Sequence, residues 1–108
     1  MNLQTSEPLQ VTLEPNNPRQ LATLCGPLDA HLKQIEKRLG ITINNRGNDF
    51  QLIGEDDVAR AAGELLKQLY REVAGGSKLT PEVVHLFLQE SGVEALLDPD
   101  AEDQNLIR

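Results

Sequence analysis

Residues 24–43, LCGPLDAHLKQIEKRLGITI, constrain the fold more than any other part of the chain. After Gly26, apolar side chains fall at Leu32, Ile35 and Leu39, spacings of three and four that set them on one helical face. Gly40 follows the last of them, where a helix C-terminal cap belongs. Ile41, Thr42 and Ile43 then form a β-branched run suited to a strand. Upstream, Leu21, Leu24 and Cys25 make the apolar stripe of a shorter helix, which Gly26 and Pro27 stop. The stretch therefore reads as helix, tight loop, helix, strand.

The flanks extend this pattern. Alternation at Leu9, Val11 and Leu13 gives a strand with one apolar face, and Glu14, Pro15, Asn16 and Asn17 end it. Asn17 before Pro18 is a helix start, a capping side chain followed by proline at the first helical position. Residues 44–48, NNRGN, read as a turn that presents Arg46, and Phe50 to Ile53 as the returning strand of a hairpin. Gly54 closes that strand, and Asp56 or Asp57 is placed to cap a helix over about residues 57–73. Its stripe is Val58, Ala62, Leu65, Leu66, Leu69 and Val73, while Ala59, Ala61 and Gly63 permit close approach to a neighbouring surface.

The resulting order is strand, helix, helix, strand, strand, helix. That order predicts an α+β sandwich with a three-stranded sheet packed against helices. Residues 75–78 read as a flexible joint. Thr80 and Pro81 start an additional helix with Val83, Val84, Phe87 and Leu88 as its stripe, and Gly92 ends it. That helix either packs on the domain or belongs to a connection beyond it. The expected organisation is a flexible lead-in over 1–8, a domain over 9–74, a joint and extra helix over 75–92, and an acidic tail over 93–108, where Val93, Leu96 and Leu97 give way to DPDAEDQ.

Composition narrows the function. With 108 residues, 39% hydrophobic and 3% aromatic, the chain suits one small domain with an aliphatic core. No apolar run approaches the roughly 20 residues of a membrane span, and MNLQTSEP has neither the basic nor the apolar region of a signal peptide. A cytoplasmic location and no membrane partner are the expectation. Cys25 is the single cysteine, so neither an internal disulfide nor a multi-cysteine metal site is possible, and it reads as a small buried hydrophobe. His31 and His85 stand in no metal-ligand pattern and read as surface or helix-packing residues. The run Asp98, Asp100, Glu102, Asp103 lacks the glycine and terminal glutamate of a calcium loop and reads as solvated. A Walker A loop needs GxxxxGK followed by Ser or Thr; Gly76-Ser77-Lys78-Leu79 supplies neither the spacing nor the hydroxyl. No catalytic constellation and no cofactor site are expected in this chain.

On Gly26, Leu32, Ile35, Gly40 and Ile43 the chain resembles an RNA-binding KH domain, in which two helices are joined by a GxxG loop and followed by a strand. The departure is at the second loop glycine, which here is Asp29. The wider run VTLEPNNPRQLATLCGPLDAHLKQIEKRLGITINNRGNDFQLIG is similar to the N-terminal domain of the PhoH-like family of bacterial P-loop ATPases. The likeness lies in the strand with its Leu13-Glu14-Pro15 exit, the Leu24-Cys25-Gly26-Pro27 loop and the Lys37-Arg38-Leu39-Gly40-Ile41 helix end. The resemblance implies a KH-like fold, a larger ATPase domain outside this fragment that carries ATP and Mg, and ties to phosphate starvation and RNA metabolism. It implies the ATPase domain of the same parent chain as a partner.

The site this implies is Gly26, Pro27, Leu28 and Asp29 with Lys33, Lys37 and Arg46, making weak contacts to single-stranded RNA. A GxxG backbone approaches phosphates closely, and the following helix N-terminus adds positive potential. The net charge of −7 opposes such binding, but it is unevenly spread. Residues 18–54 carry five basic and three acidic groups, net +2, and residues 90–108 one basic and six acidic, net −5. Asp29 brings a carboxylate to the loop and has a second reading as the N-cap of the helix. Lys33 and Lys37, four apart, share a helical face, which is also what any solvated helix shows, with Glu36 beside them. Without nucleic acid, the alternative is a protein-interaction or homo-oligomerisation module working through a sheet edge or the stripe of the last helix.

Overall fold

In a computed structural model that describes residues 8–92, each apolar stripe finds its place. The chain runs β1 (Leu9–Thr12), α1 (Pro18–Cys25), a 3-10 turn (Pro27–Asp29), α2 (Ala30–Leu39), β2 (Thr42–Arg46), β3 (Asp49–Ile53), α3 (Asp56–Ala74) and α4 (Pro81–Ser91). The lead-in up to residue 7 and the acidic tail lie outside the described residues.

The three strands form one antiparallel sheet in the order β1-β3-β2. Register places Val11 opposite Phe50 and Ile43 opposite Leu52, so these side chains share one face and are buried. Helices cover that face. Leu24, Ile35, Leu65, Leu66 and Leu69 meet Phe50 and Leu52 in a single aliphatic cluster. Gly63 lets α3 lie close on the sheet: a Cβ there would stand 3.0 Å from Val11 Cγ2 and 3.5 Å from Leu52 Cδ1. The other sheet face carries Gln10, Thr12, Asn44, Arg46, Asp49 and Gln51, none of them buried.

Local signals explain most helix ends. Asn17 Oδ1 accepts the Gln20 amide at 3.1 Å, and Thr80 Oγ1 accepts the Val83 amide at 3.2 Å, each with proline next in the chain. Gly40 and Gly92 end α2 and α4 in left-handed geometry. The start of α3 differs from expectation. Glu55 is its N-cap residue and makes no side-chain cap, while Asp56 and Asp57 sit inside the first turn, where they favour the helix dipole instead. Tyr70 ties α3 to the exit of β1, its hydroxyl donating to Pro15 O and accepting from Asn17 N–H.

The additional helix packs on the domain. Val84 and Leu88 of α4 are fully buried in the same cluster, and Gln34 Nε2 of α2 donates to Pro81 O at 2.9 Å. Among the described residues no helix is long and apolar enough to cross a membrane, and no cluster of three or more His, Cys, Asp or Glu stands ready for a metal ion.

Candidate nucleic-acid interface

The loop between α1 and α2 is built on Gly26. Its amide closes α1 on Ala22 O at 2.9 Å, and its backbone then turns to φ 82° and ψ 171°, a region that essentially only glycine occupies. A Cβ at Gly26 would lie 2.8 Å from His31 Nδ1. His31, buried, packs beneath the loop and its Nδ1 lies 3.1 Å from Leu24 O. A carbonyl only accepts, so Nδ1 carries the hydrogen and donates. The histidine is thus a helix-packing residue that floors the loop.

Pro27, Leu28 and Asp29 then form a tight turn closed by Asp29 N–H on Gly26 O at 3.1 Å. Leu28 (φ 54°, ψ 34°) and Asp29 (φ 60°, ψ 30°) are both left-handed. For leucine this costs about 1–2 kcal/mol, whereas aspartate tolerates it better. Leu28 is 90% exposed, so a strained apolar side chain stands at the loop tip in water.

The capping reading of Asp29 fails. An N-cap side chain reaches the amides of the first turn from extended backbone. Asp29 is left-handed and makes no side-chain cap. Burial, with the Asp29 carboxylate adding to it, pushes the neighbouring Cys25 thiol up from 9.0 to about 11, so the thiol is neutral and unreactive at neutral pH.

Lys33 and Lys37 are both exposed on α2, one turn apart and following the loop. Glu36 does not share their outlook. Its carboxylate turns toward the edge of β2, where Oε2 accepts the Ile43 amide at 2.6 Å. Arg46 lies elsewhere. It is the last residue of β2, not part of the turn, which is the two-residue Gly47-Asn48, and it pairs in register with Asp49. Strand parity puts it with Asn44 on the sheet face turned away from the helices, beside a shallow depression of about 530 Å³ also lined by Gln10, Asn44, Asp49 and Gln51. The structure therefore brings together Gly26, Pro27, Leu28, Asp29, Lys33 and Lys37 and separates Arg46 from them. Sequence reasoning missed His31 as the floor of the loop and Glu36 as the link to β2; the first had a signal in its spacing of five from Gly26, the second had none.

Fold and loop define a class: a small α+β domain of order βααββαα in which a glycine-led turn joins two helices beside an antiparallel sheet. No family model matches the chain, and no solved structure does. The curated proteins similar to it include three named PhoH-like protein, from Mycobacterium tuberculosis strains H37Rv and CDC 1551 and from Mycobacterium bovis. Each is 36% identical over 67 residues, which is 62% of this chain and 19% of the relative. Over that stretch the chain is similar to PhoH-like proteins, and the stretch spans about a fifth of their length.

Proposed function

We propose that this chain is a non-catalytic accessory domain of a PhoH-like ATPase, acting in the cytoplasm, that makes weak contacts to single-stranded RNA through the loop from Gly26 to Asp29 and through Lys33 and Lys37. The observation that carries the reading is the loop geometry. Gly26, Leu28 and Asp29 hold three positive φ angles in four residues, which expose the loop backbone at the start of α2. Asp29 places no side-chain cap on the first-turn amides of α2, and such amides favour an anion. The two exposed lysines lie on the same helix, and the carboxylate between them is bonded to β2. Asp29 and the net charge of −7 keep the affinity low. ATP and Mg belong, in this proposal, to another domain of the larger protein.

The test is fluorescence anisotropy of the 108-residue chain with short single-stranded RNA at low salt, beside a Lys33→Glu, Lys37→Glu double variant. Binding that the double variant abolishes, and that weakens steeply with added salt, supports the reading. Absence of binding at high protein concentration overturns it. One observation favours a second reading, a protein-docking module: the 90% exposure of Leu28 at the loop tip. An apolar contact of that kind holds its strength as salt is raised.

A further inference from the structure

The edge of β2 carries an inference independent of RNA. The two-residue turn closes on the hydrogen-bonded pair Arg46 and Asp49, so by antiparallel alternation Asn44 and Thr42 also bond to β3. Ile43 and Asn45 then turn their backbone groups outward, along what is an edge of the sheet among the described residues. An open edge is a template for another strand. Here its first outward donor is occupied, because Ile43 N–H donates to Glu36 Oε2 at 2.6 Å across seven residues. Glu36 is only half-buried, so this is a covering contact at the surface and not a core one.

We propose that β2 is a strand-addition edge held shut by Glu36, and that the strand it accepts is β2 of a second copy of this chain. The sequence TINNR is self-complementary about Asn44. In an antiparallel pair of two β2 strands, Ile43 faces Asn45 of the second copy and Asn45 faces Ile43, exchanging four backbone hydrogen bonds. Asn44 faces Asn44, an amide that both donates and accepts. Arg46 faces Thr42, so no like charges meet, which directly opposed positions require. The polar row Gln10, Gln51, Asn44, already joined by Asn44 Nδ2 to Gln51 Oε1 at 3.4 Å, continues across the two-fold axis. While Glu36 holds Ile43 N–H, two of the four new bonds cannot form. Short strands supply little other area, so the loss of those two decides the equilibrium.

The test is sedimentation velocity of the 108-residue chain across a concentration series. The parent is expected to be monomeric. Glu36→Ala, which removes the acceptor, is expected to dimerise with self-association tightened about tenfold or more. Glu36→Asp, one methylene short of Ile43, is expected to do the same while changing the helix less. Glu36→Gln removes the charge yet keeps an acceptor oxygen and is expected to remain monomeric. Adding Asn45→Pro to Glu36→Ala deletes the second outward donor, at an edge position that tolerates proline, and returns the monomer. Folded but monomeric Glu36→Ala and Glu36→Asp proteins overturn the proposal. So does a Glu36→Gln dimer, or a dimer that Asn45→Pro leaves intact.

Discussion

Replacing Leu28 by glycine tests whether the loop tip is strained for a purpose other than stability. At φ 54° and ψ 34° a leucine backbone costs about 1–2 kcal/mol relative to its preferred regions, and glycine removes that cost. Against this gain, glycine enlarges the conformational freedom of the unfolded chain by about 0.4–1 kcal/mol. The side chain itself contributes little. With 90% of Leu28 exposed, only about a tenth of the roughly 1.5–3 kcal/mol of a fully buried leucine is at stake, some 0.2–0.3 kcal/mol. The net expectation is a gain of up to about 1 kcal/mol, seen as a rise in Tm of up to about 4–8 °C.

The assay is urea denaturation and thermal melting followed by circular dichroism, with Leu28→Ala as control. Alanine keeps the left-handed penalty and loses the same small burial, so it is expected to be slightly less stable than the parent. A Leu28→Gly protein that loses 1 kcal/mol or more refutes the argument, because only a packed side chain would produce that sign. A more stable Leu28→Gly protein that also loses binding to RNA or to a protein partner identifies Leu28 as a contact residue kept at the expense of stability.

Further expectations follow from neighbouring residues. Asp29→Asn keeps a residue that tolerates φ 60° and removes the carboxylate, so RNA affinity rises several-fold in the anisotropy titration while the urea midpoint changes little. Gly26→Ala places a Cβ 2.8 Å from His31 Nδ1 on a backbone at φ 82°; a loss of about 2–4 kcal/mol in urea denaturation is expected. Leu88→Ala, at a fully buried site of α4, costs about 2–5 kcal/mol with a single cooperative transition, whereas a detachable α4 would leave the midpoint unchanged. Because the Cys25 thiol is pushed up to about 11 by burial and then by Asp29, alkylation of the folded chain is slow at pH 8. The folded pKa exceeds the unfolded one, so its contribution to stability is complete below pH 9 and is lost between about 9 and 11. Alkylation as fast as that of a free thiol at pH 8 would contradict this.

What was legible in the sequence is what periodicity and local chemistry specify without reference to distant partners. Leu32, Ile35 and Leu39, and Val58 through Val73, had to lie on buried faces because the spacing left no other face for them. The Asn17-Pro18 and Thr80-Pro81 starts needed only their own residues, and both were formed as read. The α4 stripe was visible as a stripe, yet nothing local said where Val84 and Leu88 would bury. The loop was harder. An aspartate before a helix is a cap when its backbone is extended, and the left-handed φ of Asp29 follows from the turn that Pro27 and Leu28 impose. In the sequence Arg46 reads as a turn residue, since NNRGN is rich in turn-forming asparagine and glycine. In the sheet Asn44 and Asn45 are edge-strand residues, and the strand continues until Gly47 supplies the positive φ of 62°.

Glu36 links the two surfaces. Read along the helix, a glutamate between Lys33 and Lys37 cancels half of their charge and argues against a phosphate contact. Its carboxylate instead reaches β2, which leaves the exposed side of α2 basic and closes the sheet edge in one contact. The two consequences separate by substitution. Glu36→Gln keeps the bond to Ile43 and removes one negative charge, so it is expected to raise RNA affinity modestly with no change in mass. Glu36→Ala removes the same charge and opens the edge, so any further difference between the two variants reports strand addition alone. Equal behaviour in both assays would mean that the carboxylate acts through its charge, and that the hydrogen bond at 2.6 Å guards nothing.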